Sequence, residues 1–303
     1  MSTSAARAEA LADLQPRHGF FVGLDSDGCV FDSMEIKHKE CFCPNIIRYW
    51  RLQPVSKYAR EAVEFINLYS KWRGTNRWPA LILTFDLLRQ RPEVQARHAA
   101  IPEAASVRGF IASGKPLSND GLQQYIAEQP RAEHPDAELE NALEWSRAVN
   151  RSIEEIVFGL PPFPYVRESL EFLRQNADTV VVSQTPTEAL MREWEEHKLE
   201  GYVRAIAGQE LGTKKQHLKV ATAGKYGPGR VLMVGDAPGD LEAARANGAL
   251  FFPINPGHEE KSWERFYNEG VHAFLDGKFA GAYEAGLIAE FEALLPATPP
   301  WER

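Results

Sequence analysis

The sequence predicts an α/β protein in which a helical domain is inserted into a parallel β-sheet domain. Apolar runs without alternation, each ending abruptly on a polar residue, are typical of strands that helices cover on both faces. Such runs occupy residues 20–24, 179–182 and 231–234. Between the first and the second run, apolar residues recur at helical spacing. We therefore expect a sheet domain at residues 1–32 and 161–303 and a helical domain at residues 33–160.

The composition of the 303 residues limits the classes of function. A net charge of −8 argues against a surface that coats nucleic acid. Residues 1–14 carry no continuous apolar core, and no stretch is long enough to span a bilayer. The three cysteines, an odd count, fit no disulfide framework. We expect a cytoplasmic protein with no nucleic-acid or membrane partner, and the oligomeric state stays open.

The first strand ends on two aspartates set two apart, Asp25 and Asp27, followed by Gly28, which permits a tight turn. Two like charges this close repel each other unless a cation or a shared proton offsets the repulsion. Carboxylate oxygens favour Mg²⁺ as that cation. The alternative is a solvated turn, since Asp and Gly are common in turns.

The third apolar run repeats this pattern, because Gly235 and Asp236 end it and Asp240 follows as a helix begins. The carboxyl ends of parallel strands meet at one edge of a sheet, where ligands bind. Two acidic strand ends brought together there would form a metal site.

An anion site is predicted beside the acidic one. Ser183 ends the second run, and Thr185, with a proline and a glutamate after it, predicts an N-cap and a helix N-terminus that favours anions. A strand-ending serine is also a common structural residue. Lys214 and Lys215 stand at the start of a later helix, where a cation opposes the macrodipole, so one of them is expected to point into a site.

The remaining segments complete an alternating pattern. Helices are predicted at 121–128, 136–158, 168–175 and 282–294, and further strands at 203–207, 249–253 and 271–275. Inside the helical domain, the turn at residues 72–79 gathers Arg73, Asn76 and Arg77 between two tryptophans. Arginines beside aromatic rings could bind an anionic substrate, and a solvated turn between helices is the equal alternative.

Taken in order, Asp25 with Asp27, Ser183, the lysine, and Asp236 with Asp240 resemble the four signature motifs of the haloacid dehalogenase-like hydrolase superfamily. The resemblance covers residues 18–32 and about 164–290 and implies a Rossmann-like sheet domain. The helical insert looks like that superfamily's α-helical cap of the first type, as in phosphoglycolate phosphatase-like members.

The resemblance also implies residue roles. Asp25 would be the nucleophile and Asp27 the general acid and base, while Ser183 and the lysine would hold the phosphoryl group. Mg²⁺ would be bound by Asp25, the backbone carbonyl of Asp27 and Asp236, with Asp240 ordering its surroundings. Lys214 is preferred over Lys215 because Leu218 lies four residues on. Arg73, Asn76, Arg77 and Ser183 are the predicted substrate-binding residues.

Three positions depart from the usual pattern without removing a catalytic group. Cys29 stands where a threonine is usual, Gln184 where an asparagine is usual, and no proline follows the lysine. The expected function is a Mg²⁺-dependent phosphatase that hydrolyses a small phosphorylated metabolite through an aspartyl-phosphate. The alternatives are a phosphomutase of the same superfamily and, from another class, a non-catalytic protein that binds a phosphorylated ligand.

Overall fold

The chain divides into a unit built on a β-sheet and a helical unit. The structure, a computed structural model, describes residues 11–129 and 136–302. The sheet unit comprises Met1–Met34 and Gly159–Pro296, and the helical unit comprises Glu35–Phe158 and Ala297–Arg303. Residues 1–10, most of the segment in which no signal sequence is predicted, lie outside the described residues.

Five parallel strands form the sheet in the order β3-β2-β1-β4-β5. Their bounds are β1 Phe21–Leu24, β2 Asp178–Val182, β3 Ala205–Ala207, β4 Val231–Gly235 and β5 Leu250–Pro253. Every residue of β1, β2 and β4 is buried, which explains the unbroken apolar residues of β1, of β4 and of Val180–Val182 in β2. The predicted α/β class with a parallel sheet is confirmed.

Helices cover both faces of this sheet. Successive residues of β2 pack into different cores, since Val181 belongs to one cluster of buried side chains and Val180 and Val182 belong to another. The helices of the sheet unit after Gly159 are α9 Val166–Asn176, α10 Thr187–Glu196, α11 Lys214–Thr222, α12 Pro238–Ala246, α13 Glu259–Arg265, α14 Val271–Leu275 and α15 Ala282–Leu294.

The regular elements described between residues 33 and 156 are all helices. The α-helices are α1 Ser33–Ile36, α2 Cys43–Tyr49, α3 Ser56–Leu68, α4 Arg77–Gln90, α5 Pro92–Gln95, α6 Ala105–Ala112, α7 Asn119–Glu128 and α8 Ala137–Ile156. The aromatic centre of the helical unit is Trp78, whose ring centroid lies 5.5 Å from that of Trp145 and 5.6 Å from that of Phe110. None of the described helices has both the length and the apolar composition that crossing a bilayer requires.

Two segments differ from the sequence-based expectations. The strand predicted at 271–275 is wrong, because these residues form α14, which continues α13 through a π-helical turn. Val271 and Phe274, three residues apart, are both fully buried, and a short apolar run with that spacing fits a helix as well as a strand.

The second difference is the C-terminus, which groups with the helical unit although the sequence suggested the sheet domain for it. Trp301 accounts for this placement. Its ring lies edge-on to that of Phe65, with centroids 5.7 Å apart, and the guanidinium carbon of Arg91 lies 4.4 Å from the ring centroid.

Candidate active site

Three of the predicted site residues follow neighbouring strands at the carboxyl edge of the sheet. Asp25 follows β1, Ser183 follows β2 and Asp236 follows β4, and β1 lies between the other two strands. The strand ladder extends past β1, because the N–H of Asp25 donates to the carbonyl of Val234 over 3.0 Å. The sheet therefore brings these positions together although they are far apart in the sequence.

Three carboxylates form a buried cluster at this edge. Asp25, Asp236 and Asp240 are only 4%, 1% and 0% exposed, and each offers an oxygen within 4.8 Å of the others. The ammonium of Lys214 donates to Asp25 Oδ2 over 2.6 Å and to Asp240 Oδ1 over 2.7 Å. Three carboxylates and one ammonium leave two negative charges in excess when all are ionised. That excess and the all-oxygen donor set fit a divalent cation such as Mg²⁺.

The pKa shifts of Asp25 and Lys214 also favour a cation in this cluster. Burial raises the pKa of Asp25 well above its usual range; the Lys214 ammonium opposes this, and the carboxylates of Asp240 and Asp236 add to it. Burial alone would lower the pKa of Lys214, but the charges of Asp240, Asp25 and Asp236 outweigh it and leave this pKa raised. Lys214 is therefore a cation in the folded protein, and a further cation would favour the ionised form of Asp25.

The start of α11 places Lys214 in this cluster. Thr213 and Gln216 form a reciprocal capping box, in which the Thr213 N–H donates to Gln216 Oε1 over 2.7 Å. This cap fixes the first turn, from which Lys214 contacts the carboxylates while Lys215 is exposed. A lysine at a helix N-terminus is unfavourable for the macrodipole, but here its ammonium is stabilised by the carboxylates that it contacts.

Gly235 leaves the space that the Asp240 side chain occupies. Asp240 lies in the first turn of α12, where its Oδ2 accepts from the N–H of Ala237 over 3.0 Å. A Cβ atom at Gly235 would lie 2.4 Å from Cγ of Asp240. The close approach of this carboxylate to the end of β4 therefore requires a residue without a side chain.

Asp27 lies in a different environment from the three clustered aspartates. It is half-buried, and two hydroxyls donate to its carboxylate: Ser33 Oγ to Oδ1 over 2.5 Å and Thr185 Oγ1 to Oδ2 over 2.6 Å. Its carboxylate is not part of the cluster of three. The predicted contribution of Asp27 to the metal, through its backbone carbonyl, stays a prediction.

Ser183 and Thr185 follow β2, and their hydroxyls make different hydrogen bonds. Ser183 is 2% exposed, and its hydroxyl accepts from the N–H of Thr185 over 3.1 Å. Thr185 does not cap the next helix, because α10 begins two residues later, after Pro186. Its hydroxyl donates to Asp27 instead, a role that sequence reasoning missed along with that of Ser33.

Two of the polar side chains in the predicted substrate-binding turn make hydrogen bonds within the helical unit, and their role in substrate binding stays a prediction. Arg73 is 4% exposed, so it is not a solvated residue, and it donates to the carbonyl of Leu68 at the end of α3 over 2.9 Å. Asn76 caps α4 by accepting from the N–H of Trp78, and it donates to the carbonyl of Leu117.

Arg77 has a different set of partners. Its guanidinium donates to the carbonyl and hydroxyl of Ser146 and to Asn150 Oδ1 and lies 5.2 Å from the ring centroid of Phe42. Burial lowers its pKa to about 10, so it stays charged at neutral pH. Its hydrogen-bond acceptors within the described part of the chain are all neutral.

A family model described as haloacid dehalogenase-like hydrolase matches residues 23–248, a span that contains every predicted site residue. No curated protein matches the chain.

Solved structures also resemble the chain. A subfamily IA hydrolase of this superfamily from Geobacter sulfurreducens has 17% identity over 79% of this chain and 90% of its own, with a TM-score of 0.39. A haloacid dehalogenase-like family hydrolase from Streptococcus pneumoniae has 16% identity over 82% and 90%, with a TM-score of 0.42. A predicted phosphoglycolate phosphatase from Haemophilus somnus has 17% identity over 78% and 86%, with a TM-score of 0.39.

Proposed function

The chain belongs to the haloacid dehalogenase-like hydrolase family, and on that premise we propose that it is a Mg²⁺-dependent phosphatase acting on a small phosphorylated metabolite. The contact that carries the proposal is the buried ion pair between Asp25 and Lys214, 2.6 Å apart at the carboxyl edge of the sheet. A nucleophilic carboxylate beside a fixed ammonium suits attack on a phosphoryl group, because the ammonium can balance the charge of the phosphoryl oxygens.

The first displacement uses Asp25 and Asp27. A carboxylate oxygen of Asp25 forms a bond to phosphorus as the ester oxygen leaves, and Asp27 gives that oxygen its proton. Asp25 Oδ1 accepts from the N–H of Ser26 over 2.8 Å, which fixes the orientation of the nucleophile. The products of this step are the alcohol and an aspartyl-phosphate.

The second displacement returns the enzyme to its starting state. Asp27 takes a proton from water, the water oxygen bonds to phosphorus, and the bond from phosphorus to Asp25 breaks to release inorganic phosphate. Lys214 and Ser183 hold phosphoryl oxygens through both steps. Asp25, Asp236 and the backbone carbonyl of Asp27 would hold Mg²⁺, with Asp240 in the same carboxylate cluster ordering its surroundings, and the metal would supply further charge neutralisation.

The experiment is release of phosphate from an aryl phosphate with Mg²⁺ and with excess chelator. We expect activity only with Mg²⁺, loss of it in Asp25→Asn and Asp236→Ala, and a phosphorylated Asp25 detectable by mass spectrometry in Asp27→Asn, since the activation of water is then impaired. Lys214→Ala should be inactive, whereas the exposed neighbour changed in Lys215→Ala provides a matched control with full activity.

Four results would contradict or replace this function. Full activity of Asp25→Asn, or of wild type in excess chelator, would contradict the mechanism. Turnover of a sugar monophosphate to its isomer in the presence of a bisphosphorylated sugar would identify a phosphomutase. Binding of phosphate with no turnover of any phosphate ester would identify a non-catalytic binding protein.

A further inference from the structure

We infer that Ser33 and Thr185 are positioning residues that hold the Asp27 carboxylate in the orientation needed for proton transfer. The inference rests on the proposed function, because it assigns the two residues to the proposed acid and base. It goes beyond that function by adding two hydroxyls, one from the segment after β1 and one from the loop after β2, to the residues on which the reaction depends.

The geometry of the two hydrogen bonds carries the inference. Ser33 donates to Oδ1 of Asp27 and Thr185 donates to Oδ2, over 2.5 and 2.6 Å. The rotation of an aspartate about its terminal torsion is otherwise broad. Because each oxygen is engaged by a hydroxyl from a different segment, rotation of the carboxylate would break both bonds, so the pair fixes the plane of the group.

Both hydroxyls are carried by residues that burial or backbone hydrogen bonds hold in place. Ser33 is fully buried at the start of α1. The Thr185 N–H donates to Ser183 Oγ, and its carbonyl accepts from the N–H of Gln209 over 3.0 Å. Gly208 packs against the same loop so closely that a Cβ there would lie 2.7 Å from the Thr185 carbonyl oxygen. These contacts restrain the loop that carries the Thr185 hydroxyl.

Hydroxyls suit a group that must both give and take a proton. Each hydroxyl carries one donor and two acceptor lone pairs, so either can reverse its bond when Asp27 carries the proton. A carboxylate offers about four lone-pair sites, so two donors do not saturate it. These two hydroxyls can therefore serve both halves of the reaction.

The test measures the first displacement by rapid-mixing kinetics, following release of the alcohol from two substrates. Para-nitrophenyl phosphate has a leaving group that needs little protonation, and phenyl phosphate has one that needs more. Thr185→Val, which removes the hydroxyl at nearly constant shape, should slow alcohol release from phenyl phosphate about tenfold or more, with the para-nitrophenyl rate nearly unchanged. Ser33→Ala should show the same selectivity, and Thr185→Ser should restore the rate.

Three comparisons make the result decisive. Thr187→Val is the matched control, because the Thr187 hydroxyl donates to Glu210 instead and its loss should not discriminate between the leaving groups. Adding Thr185→Val to Asp27→Asn should have no further effect, since the group that it positions is already disabled. Thermal unfolding should show that each variant is folded.

The possible failures are distinguishable. If Asp27→Asn slows phenyl phosphate selectively but Thr185→Val and Ser33→Ala slow both substrates equally, the positioning role is wrong and the proposed function stands. If Asp27→Asn shows no selectivity either, then Asp27 is not the acid, and the positioning inference falls with the acid assignment in the proposed function.

Discussion

The buried environment of His217 should make the protein measurably less stable in acid. Its side chain is buried on α11, and neither ring nitrogen has a hydrogen-bond partner among the described residues. Burial, with the charge of Lys214 as the second cause, lowers its pKa from 6.5 to about 4. Between these two pKa values, the unfolded chain binds a proton at His217 that the folded chain does not bind. The free energy of unfolding is therefore unaffected by His217 above the unfolded-state pKa and decreases as the pH falls toward the folded-state pKa.

The magnitude follows from the two pKa values. For a pKa of about 4 in the folded chain and 6.5 in the unfolded chain, moving from about pH 8 to about pH 5 costs about 2 kcal/mol of unfolding free energy. His217→Leu removes the titrating group, so the variant should lose about 2 kcal/mol less than wild type over this interval. Other titrating groups are common to both proteins and cancel in the difference.

The assay is urea unfolding at both pH values, followed by circular dichroism. Leu218→Ala is the control, because it removes a buried non-titrating side chain of the same helix and should lower stability equally at both pH values. If His217→Leu shows the pH dependence of wild type, His217 is protonated or bonded in the folded chain, and this account of its environment is refuted.

Three other predictions concern the site and the helical unit. Mg²⁺ should raise the unfolding temperature and chelator should reverse the change, as followed by calorimetry; no shift in saturating Mg²⁺ would contradict the metal assignment. Gly235→Ala should cost about 1–3 kcal/mol of stability and lower activity, because its Cβ would clash with Asp240, whereas Gly239→Ala, with open space around that position, should cost neither. Arg77→Ala should raise KM for the natural substrate about ten- to a hundredfold without affecting an aryl phosphate, and equal effects on both substrates would contradict this. Arg73→Ala removes a buried hydrogen bond to the end of α3 and should lower the unfolding temperature.

The sequence predicted the sheet well because burial on two faces leaves a local signal. The runs that became β1 and β4 carry no polar side chain, and β2 is apolar from Val180 to Val182 after two buried polar residues, Asp178 and Thr179. The polar residues that follow these strands lie where the sheet stops. The failure at 271–275 has the converse cause. Those five residues carry no alternation that separates a strand from one turn of helix, and packing against the rest of the chain decides the outcome.

The site could be predicted only as far as residue type and strand ends allow. The choice of Lys214 over Lys215 depends on which way the first turn of α11 faces, and the Thr213 cap fixes that direction. The hydroxyls on Asp27 gave no signal, because a serine after a strand and a threonine before a proline are ordinary residues of turns and caps. Their role arises only when two segments distant in the sequence meet.

The environments of Asp25 and Asp27 explain how two carboxylates so close in sequence could perform different chemistry. Asp25 lies buried with one ammonium and two other carboxylates, so its ionisation depends on cations, and a metal together with Lys214 would keep it an anion fit for attack. Asp27 is half-buried and receives hydrogen bonds from neutral hydroxyls, which can follow a proton on and off the group. Paired carboxylates whose surroundings differ in this way are the arrangement by which one site can supply both a nucleophile and an acid. Thr185→Lys should therefore favour the anionic form of Asp27 and impair it as an acid. We expect slower release of alcohol from phenyl phosphate than from para-nitrophenyl phosphate, while Mg²⁺ still raises the unfolding temperature because the Asp25 cluster is intact.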